Sequence, residues 1–118
     1  GDTVCVFEAP IDMLSFLSLY QQDWQRHSYV SLCGVAEHAL LQLLEESPQV
    51  KKIGLCLDND KAGIKARKRL ASILVGKGYS EVFSLLPQQK DWNEDLQEMW
   101  YKPELRMAEK SALAMLQE

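Results

Sequence analysis

Residues 52–63 read Lys-Ile-Gly-Leu-Cys-Leu-Asp-Asn-Asp-Lys-Ala-Gly, and this stretch decides the fold. The mostly apolar run from Lys52 to Leu57 predicts a buried β-strand that delivers Asp58 at its carboxyl end. From Asp60 to about Val75 the pattern predicts a helix with Ile64 and other apolar residues on one side. A strand, an acidic turn and a helix in this order are typical of a parallel α/β sheet, in which ligands bind at the carboxyl ends of the strands.

The same alternation runs along the rest of the chain. Further strands are predicted at Thr3 to Phe7, Tyr29 to Cys33 and Glu81 to Leu86. Helices are predicted at Ile11 to about Trp24, Ala36 to Glu46, a short segment after Trp92, and 103–117. The pattern predicts a three-layer α/β/α sandwich around a four-stranded, mainly parallel sheet. We expect one domain, residues 1–118, with a core at 3–97 and a C-terminal helix at 103–117, excised from a longer protein.

Composition narrows the functional classes. The chain has 118 residues, of which 47% are hydrophobic and 25% charged, as in soluble globular domains. Its net charge of -4 argues against simple charge-driven coating of nucleic acid, although local basic surfaces remain possible. The sequence shows neither a membrane span nor a signal peptide. Cys5, Cys33 and Cys56 are expected to be buried thiols in a reducing compartment, so we expect a cytoplasmic protein.

Acidic residues follow three of the predicted strands. They are Glu8 and Asp12 after the first, Asp58 and Asp60 after the third, and Asp91 after the fourth. Carboxylates brought to one sheet edge repel each other, and a hard divalent cation such as Mg2+ relieves that repulsion. The acids also have a structural interpretation, in which Glu8 and Asp60 favour helix N-termini and Asp91 lies in a polar loop.

The ordered set of motifs resembles the Toprim domain, the metal-binding module of DnaG-type primases, topoisomerases and some nucleases. Glu8-Ala-Pro-Ile-Asp12 is similar to the primase Glu-Gly-x-x-Asp, and Asp58-Asn-Asp60-Lys-Ala-Gly63 to its Asp-x-Asp-x-Ala-Gly. Lys90-Asp-Trp-Asn-Glu94 resembles a segment of such proteins on phages, plasmids and conjugative elements. The chain departs from the pattern at Ala9, where Gly is usual, and at Asn93, where a second Asp would make another metal site more secure.

The resemblance implies Mg2+- or Mn2+-dependent nucleotidyl or phosphoryl transfer in a primase-like, DNA-processing protein of a mobile element. Glu8, Asp58 and Asp60 would be catalytic, with Glu8 as general acid/base or metal ligand, and Asp12 or Asp91 would complete the metal site. The implied partners are nucleic acid (a single-stranded DNA template or a phosphodiester substrate), nucleotides and other domains of the parent protein. A Toprim-type nuclease and a non-catalytic interaction module are the alternatives.

Basic and aromatic residues near the acids have two interpretations each. Lys61, Lys65, Lys68 and Lys90 could bind phosphates, or the first three could form a solvated helix face and Lys90 a charge partner for the acids. Trp92 could stack on a base, although packing in the core is the commoner role of a tryptophan.

Overall fold

Four parallel strands form one sheet within the described residues, which are 2–22, 24–32, 37–101 and 116 of this computed structural model. The strands are β1 (Thr3–Phe7), β2 (Ser28–Ser31), β3 (Lys52–Leu55) and β4 (Glu81–Ser84). The helices are α1 (Pro10–Leu19), α2 (His38–Glu45), α3 (Lys61–Gly76) and α4 (Trp92–Tyr101), with a 3-10 turn at Trp24–Arg26.

The strand order, β2-β1-β3-β4, makes the boundary between β1 and β3 the natural place for a site. The chain moves from β1 outward to β2, and then returns to the other side of β1 to form β3. Crevices at such a reversal lie outside the carboxyl ends of the two central strands. β1 and β3 pair in register from Thr3 with Lys52 to Val6 with Leu55, so Glu8 and Asp58 leave the sheet side by side.

The sheet is covered on both faces, which explains why its central strands are continuously apolar. Val4 and Val6 of β1 point into a core formed with α2 and α3, where Leu40 and Leu74 are fully buried. Cys5 and Phe7 point to the other side, into an aromatic core formed with α1 and α4. This alternation confirms the predicted α/β/α sandwich, and all described strand pairs are parallel.

Several predicted boundaries are corrected. The first helix ends at Leu19 and not near Trp24: Tyr20 leaves helical geometry (φ -124°, ψ 71°), and its ring lies edge-to-face with that of Trp92 at a centroid distance of 6.3 Å. The strands predicted to end at Leu57 and Leu86 end at Leu55 and Ser84.

Some predictions fall on residues outside the described ranges. These are Cys33, the start of the helix predicted at Ala36, and the helix at 103–117, of which Leu116 alone is described and is buried in the aromatic core. Cys5 and Cys56 are buried free thiols, as predicted. None of the described helices is both long and apolar enough to cross a bilayer.

Candidate metal centre

Asp58 stands where β3 ends and turns into α3. The turn is closed by Asp60, whose Oδ1 accepts a hydrogen bond of 2.7 Å from the Gly63 N–H and so caps the helix. Gly63 is required here because a Cβ atom at this position would overlap the carbonyl group of Asp58. The Asp-x-Asp-x-x-Gly spacing thus packs the first turn of α3 directly against the backbone of Asp58.

Asp12 reaches the same edge from the first turn of α1. Pro10 starts that helix, and Ala9 before it is extended (φ -133°), a conformation open to any residue, so the departure from Gly costs no strain. Asp12 is only 4% exposed, and its Oδ1 accepts a hydrogen bond of 3.3 Å from the Asn93 N–H. Burial raises the pKa of Asp12, and the charges of nearby acids raise it further, whereas the Asn93 amide opposes the change.

Asp91 is held at the start of α4 by a reciprocal cap. Its Oδ1 accepts from the Glu94 N–H at 2.8 Å, and Glu94 Oε2 accepts from the Lys90 N–H at 3.1 Å. Asp95, 1% exposed, accepts from the N–H groups of Gln88 and Gln89 at 2.9 and 2.7 Å. These carboxylates fix the loop before α4, so the position of Asp91 follows from the local sequence.

The three carboxyls of Asp12, Asp58 and Asp91 meet at one point. One oxygen from each lies within 4.8 Å of the others, although the residues come from three different elements. The pKa of Asp58 is raised to about 7. Burial is the largest cause, and the neighbouring carboxylates of Glu8, Asp12 and Asp60 contribute the rest.

One structural observation, independent of family membership, indicates that these residues can hold a hard divalent cation. Asp58 Oδ1 is buried and accepts no hydrogen bond from any described residue, and an oxygen in that position ordinarily has a partner. Three carboxylate oxygens from converging elements are the ligand type that Mg2+ and Mn2+ prefer. A cation would give the unpartnered oxygen a partner and remove the repulsion among the acids.

Glu8 and Asp60 lie beside this triad and not within it. The Glu8 side chain is half-buried, and its carboxylate lies close enough to Asp58 to raise the pKa of that residue. Asp60 has an extended backbone (φ -142°), and its Oδ1 caps α3, in agreement with the structural interpretation of this residue. The three-carboxylate group therefore consists of Asp58, Asp12 and Asp91, and it does not include Asp60.

The predicted phosphate-binding lysines are all exposed. Lys61, Lys65 and Lys68 recur at helical spacing, so they share one side of α3 that starts next to Asp60. Lys90 is close enough to Asp12 to lower its pKa. Of the other basic residues of α3, Arg69 contacts Glu37 at 3.6 Å.

Trp92 belongs to the core, in agreement with the packing interpretation. It is 1% exposed, its Nε1–H donates to the Cys56 carbonyl at 3.0 Å, and its ring meets Phe16 edge-to-face at 4.9 Å. It therefore does not offer a face to a base. It anchors the start of α4, and with it Asp91, against the end of β3.

Residues that support the site without carrying its charge were not predicted. Asn59 and Asn93 both donate hydrogen bonds next to the triad, and Asp95 orders the loop before it. The Asp91-x-x-Glu94 spacing is a recognisable capping signature. Nothing in the sequence around Asn59 marks its long-range partners.

Comparisons with known proteins agree with this geometry. The model of the Toprim-like family matches residues 5–96. An uncharacterized protein of Mycoplasma pneumoniae, named as a homolog of MG010, is 38% identical over 64 residues, which is 53% of this chain and 30% of the relative. The uncharacterized MG010 of Mycoplasma genitalium is 35% identical over 65 residues, 53% of this chain and 29% of the relative. The chain thus matches less than a third of the length of either relative.

A solved structure is similar over a larger part of the chain. The primase fragment of the bacteriophage T7 primase-helicase protein superposes with a TM-score of 0.66 and 26% sequence identity, covering 89% of this chain and 42% of the fragment. The family match covers most of the residues that form the sheet and the acidic site. The chain accordingly belongs to the Toprim-like family and has the α/β fold of a primase-type Toprim domain.

Proposed function

We propose that this domain performs Mg2+- or Mn2+-dependent phosphoryl transfer on nucleic acid, as the Toprim catalytic domain of a primase-like DNA-processing protein. The observation that carries the proposal is the convergence of Asp12, Asp58 and Asp91 within 4.8 Å, with one oxygen of Asp58 buried and unpartnered. A purely structural acid cluster would leave repulsion and an unmet acceptor at the point where the fold places ligands.

Each acidic residue has a distinct proposed role. Asp12, Asp58 and Asp91 hold the cation, which when bound supplies electrostatic stabilisation of phosphoryl oxygens. Glu8 is the proposed general acid/base or a further ligand, because its carboxylate is close enough to Asp58 to raise the pKa of that residue. Asp60 would reach an ion with the oxygen that does not cap α3, and it adds negative charge beside Asp58.

Nucleic acid is the proposed substrate class because lysines adjoin the acidic residues: Lys61 follows Asp60 at the start of α3, and Lys90 acts on Asp12. Lys61, Lys65 and Lys68 lie along one side of α3, and no ion pair is formed by them among the described residues. Their Cα atoms span about 10 Å of helix, roughly the distance between phosphates two nucleotides apart in a strand. We propose that they and Lys90 bind the backbone of a single-stranded template or of the phosphodiester substrate, with nucleotides as the other substrate.

The likeness to the T7 primase fragment favours synthesis of a primer over hydrolysis. We also propose that the parent protein is encoded by a mobile element, acts in DNA replication and contains further domains.

The proposal is tested by calorimetric titration of Mg2+ and Mn2+ at pH 8. Wild type, Asp58→Asn and Asp60→Asn are compared, with Glu46→Gln as a matched exposed control outside the site. We expect saturable binding to wild type and to the control, its loss in Asp58→Asn, and a smaller change in Asp60→Asn, because Asn also caps a helix. No binding to wild type, with or without a single-stranded oligonucleotide, would contradict a metal-dependent function and support an interaction module.

Activity assays on the full-length protein separate the two enzymatic alternatives. Labelled oligonucleotide and nucleoside triphosphates are incubated with Mg2+ or Mn2+. Extension or new primer synthesis supports the primase-like proposal, whereas shortening of the labelled strand supports a Toprim-type nuclease. Loss of either product in Asp58→Asn assigns the activity to this site.

A further inference from the structure

Asp58 and Asp91 lie on two separate loops, and each loop is closed by its own hydrogen bonds. The turn after β3 is closed by the contact between Asp60 and Gly63. The loop before α4 is closed by Asp95 and Glu94, which accept from its N–H groups. These local bonds fix the shape of each loop, but they do not set the distance between the two acids.

Asn59 joins the two loops. Its backbone N–H donates to the Lys90 carbonyl at 2.6 Å, and its side-chain Nδ2–H donates to the Pro87 carbonyl at 3.1 Å. Between residues 58–60 and 87–91, all of which are described, both hydrogen bonds that cross from one loop to the other are donated by this residue. Asn59 is the immediate neighbour of Asp58, and Lys90 is the immediate neighbour of Asp91.

Something must oppose the repulsion between these acids. Among the residues that the structure describes, none donates a hydrogen bond to Asp58 Oδ1. Together with Asp12, the two acids place three oxygens within 4.8 Å. The Trp92 bond to the Cys56 carbonyl already holds the start of α4 near the end of β3. A further tether between the two loops would limit how far the carboxylates move apart in the metal-free protein, so that a cation would bind without first having to draw them together.

We propose that Asn59 is a positioning residue that clamps the Asp58 turn to the Asp91 loop and so preorganises the metal ligands, an inference that rests on the proposed metal site. The amide is suited to this task because it donates a hydrogen bond and carries no charge. A carboxylate at the same position could not donate to Pro87, and an alanine could not reach it.

The experiment compares Mg2+ and Mn2+ affinity in wild type and Asn59→Ala. The matched control is Gln21→Ala, which removes a similar exposed amide bonded to a backbone carbonyl, that of Ser18 at 3.3 Å, away from the site. We expect the Kd of Asn59→Ala to rise about 3- to 10-fold, since one neutral hydrogen bond is lost while the backbone bond remains. The melting temperatures of both variants should stay within a few degrees of wild type.

A second measurement keeps the clamp testable without metal. Hydrogen exchange of the residue-59 amide, which bonds to Lys90, is measured in wild type and Asn59→Ala and corrected for intrinsic rates. We expect exchange to be at least about fivefold faster in the variant, with Gln21→Ala unchanged. If wild type binds no cation, the proposed function fails, and exchange alone then decides the clamp.

Three results would overturn the inference. One is a Kd in Asn59→Ala that equals the wild-type value when wild type binds metal well. Another is unchanged exchange at residue 59. An equal loss of affinity in Gln21→Ala would mean that the effect is general destabilisation, which also contradicts a positioning role for Asn59.

Discussion

Replacing Asp58 with Asn should stabilise the metal-free protein while abolishing its response to metal. Residues that serve only the fold behave in the opposite way, because their substitution usually destabilises. The expectation follows from the raised pKa of Asp58, which shows that its ionised form is held in an unfavourable place when no cation is present. Asn keeps the shape of the side chain and removes the charge.

The magnitude follows from two estimates. A pKa that moves from 3.8 to about 7 sets an upper limit of about 4 kcal/mol on the cost of ionising Asp58 in the folded state. Two unit charges 4.8 Å apart repel by about 1 kcal/mol in water and by about 3 kcal/mol at a surface-like dielectric. Because Asp58 is only half-buried and solvent screens it, we expect a gain of about 1–2 kcal/mol at pH 8.

The direction of the Asp58 pKa change also determines the pH range over which stability changes. The folded state holds the Asp58 proton more tightly than the unfolded state, so the metal-free wild type loses stability as pH rises from about 4 to about 7. Asp58→Asn lacks this contribution. Its advantage over wild type should therefore be a little over a third of its full size at pH 5 and nearly complete at pH 8.

The assay is urea unfolding of both proteins at pH 5 and pH 8, with a chelator and again with excess Mg2+. At about 100 times the Kd, Mg2+ should stabilise the wild type by about 2.7 kcal/mol and leave Asp58→Asn unchanged. The reasoning is refuted if metal-free Asp58→Asn is less stable than wild type at pH 8, or if Mg2+ stabilises both proteins equally.

Three further predictions concern the same edge of the sheet. The apparent Kd for Mg2+ should rise by up to tenfold for each pH unit below about 7, because binding must displace the proton of Asp58; a flat profile in calorimetry between pH 5.5 and 8 would contradict this. Gly63→Ala should destabilise by about 2–4 kcal/mol in urea unfolding, because its methyl group overlaps the Asp58 carbonyl, and a loss under about 0.5 kcal/mol would show that the turn relaxes freely. Replacing Lys61, Lys65 and Lys68 together by Gln should reduce the slope of log affinity against log salt for a single-stranded oligonucleotide by about 2, with Mg2+ affinity unchanged, and an unaltered slope would leave these lysines as a solvated face.

The fold was predictable because its signals are local. Continuous apolar runs such as Val4 to Phe7 require a sheet covered on both faces, and acids at the strand ends mark the edge where ligands bind. The helix boundary at Leu19 was less accessible, because the Tyr20 ring that follows it packs in the aromatic core beside Trp92, a residue distant in sequence.

The acidic residues of the candidate site could be predicted from the sequence, but which of them come together could be predicted less well. Asp60 can serve as an N-cap or as a ligand, and the sequence cannot rank the two before the Gly63 N–H is in place. Asp12 and Asp91 join Asp58 through long-range contacts, among them the bond from the Asn93 N–H to Asp12. The clamp by Asn59 spans 28 residues of sequence to Pro87, so no local pattern indicates it.

Anomalous scattering from crystals of the protein soaked in Mn2+ would test directly whether Asp12, Asp58 and Asp91 hold a cation. We predict a peak within about 2–2.6 Å of carboxylate oxygens from Asp12, Asp58 and Asp91, and no peak at that place in Asp58→Asn. Fully occupied Mn2+ bound elsewhere in the wild type, or crystals without any Mn2+ peak at a concentration that saturates binding in solution, would contradict it.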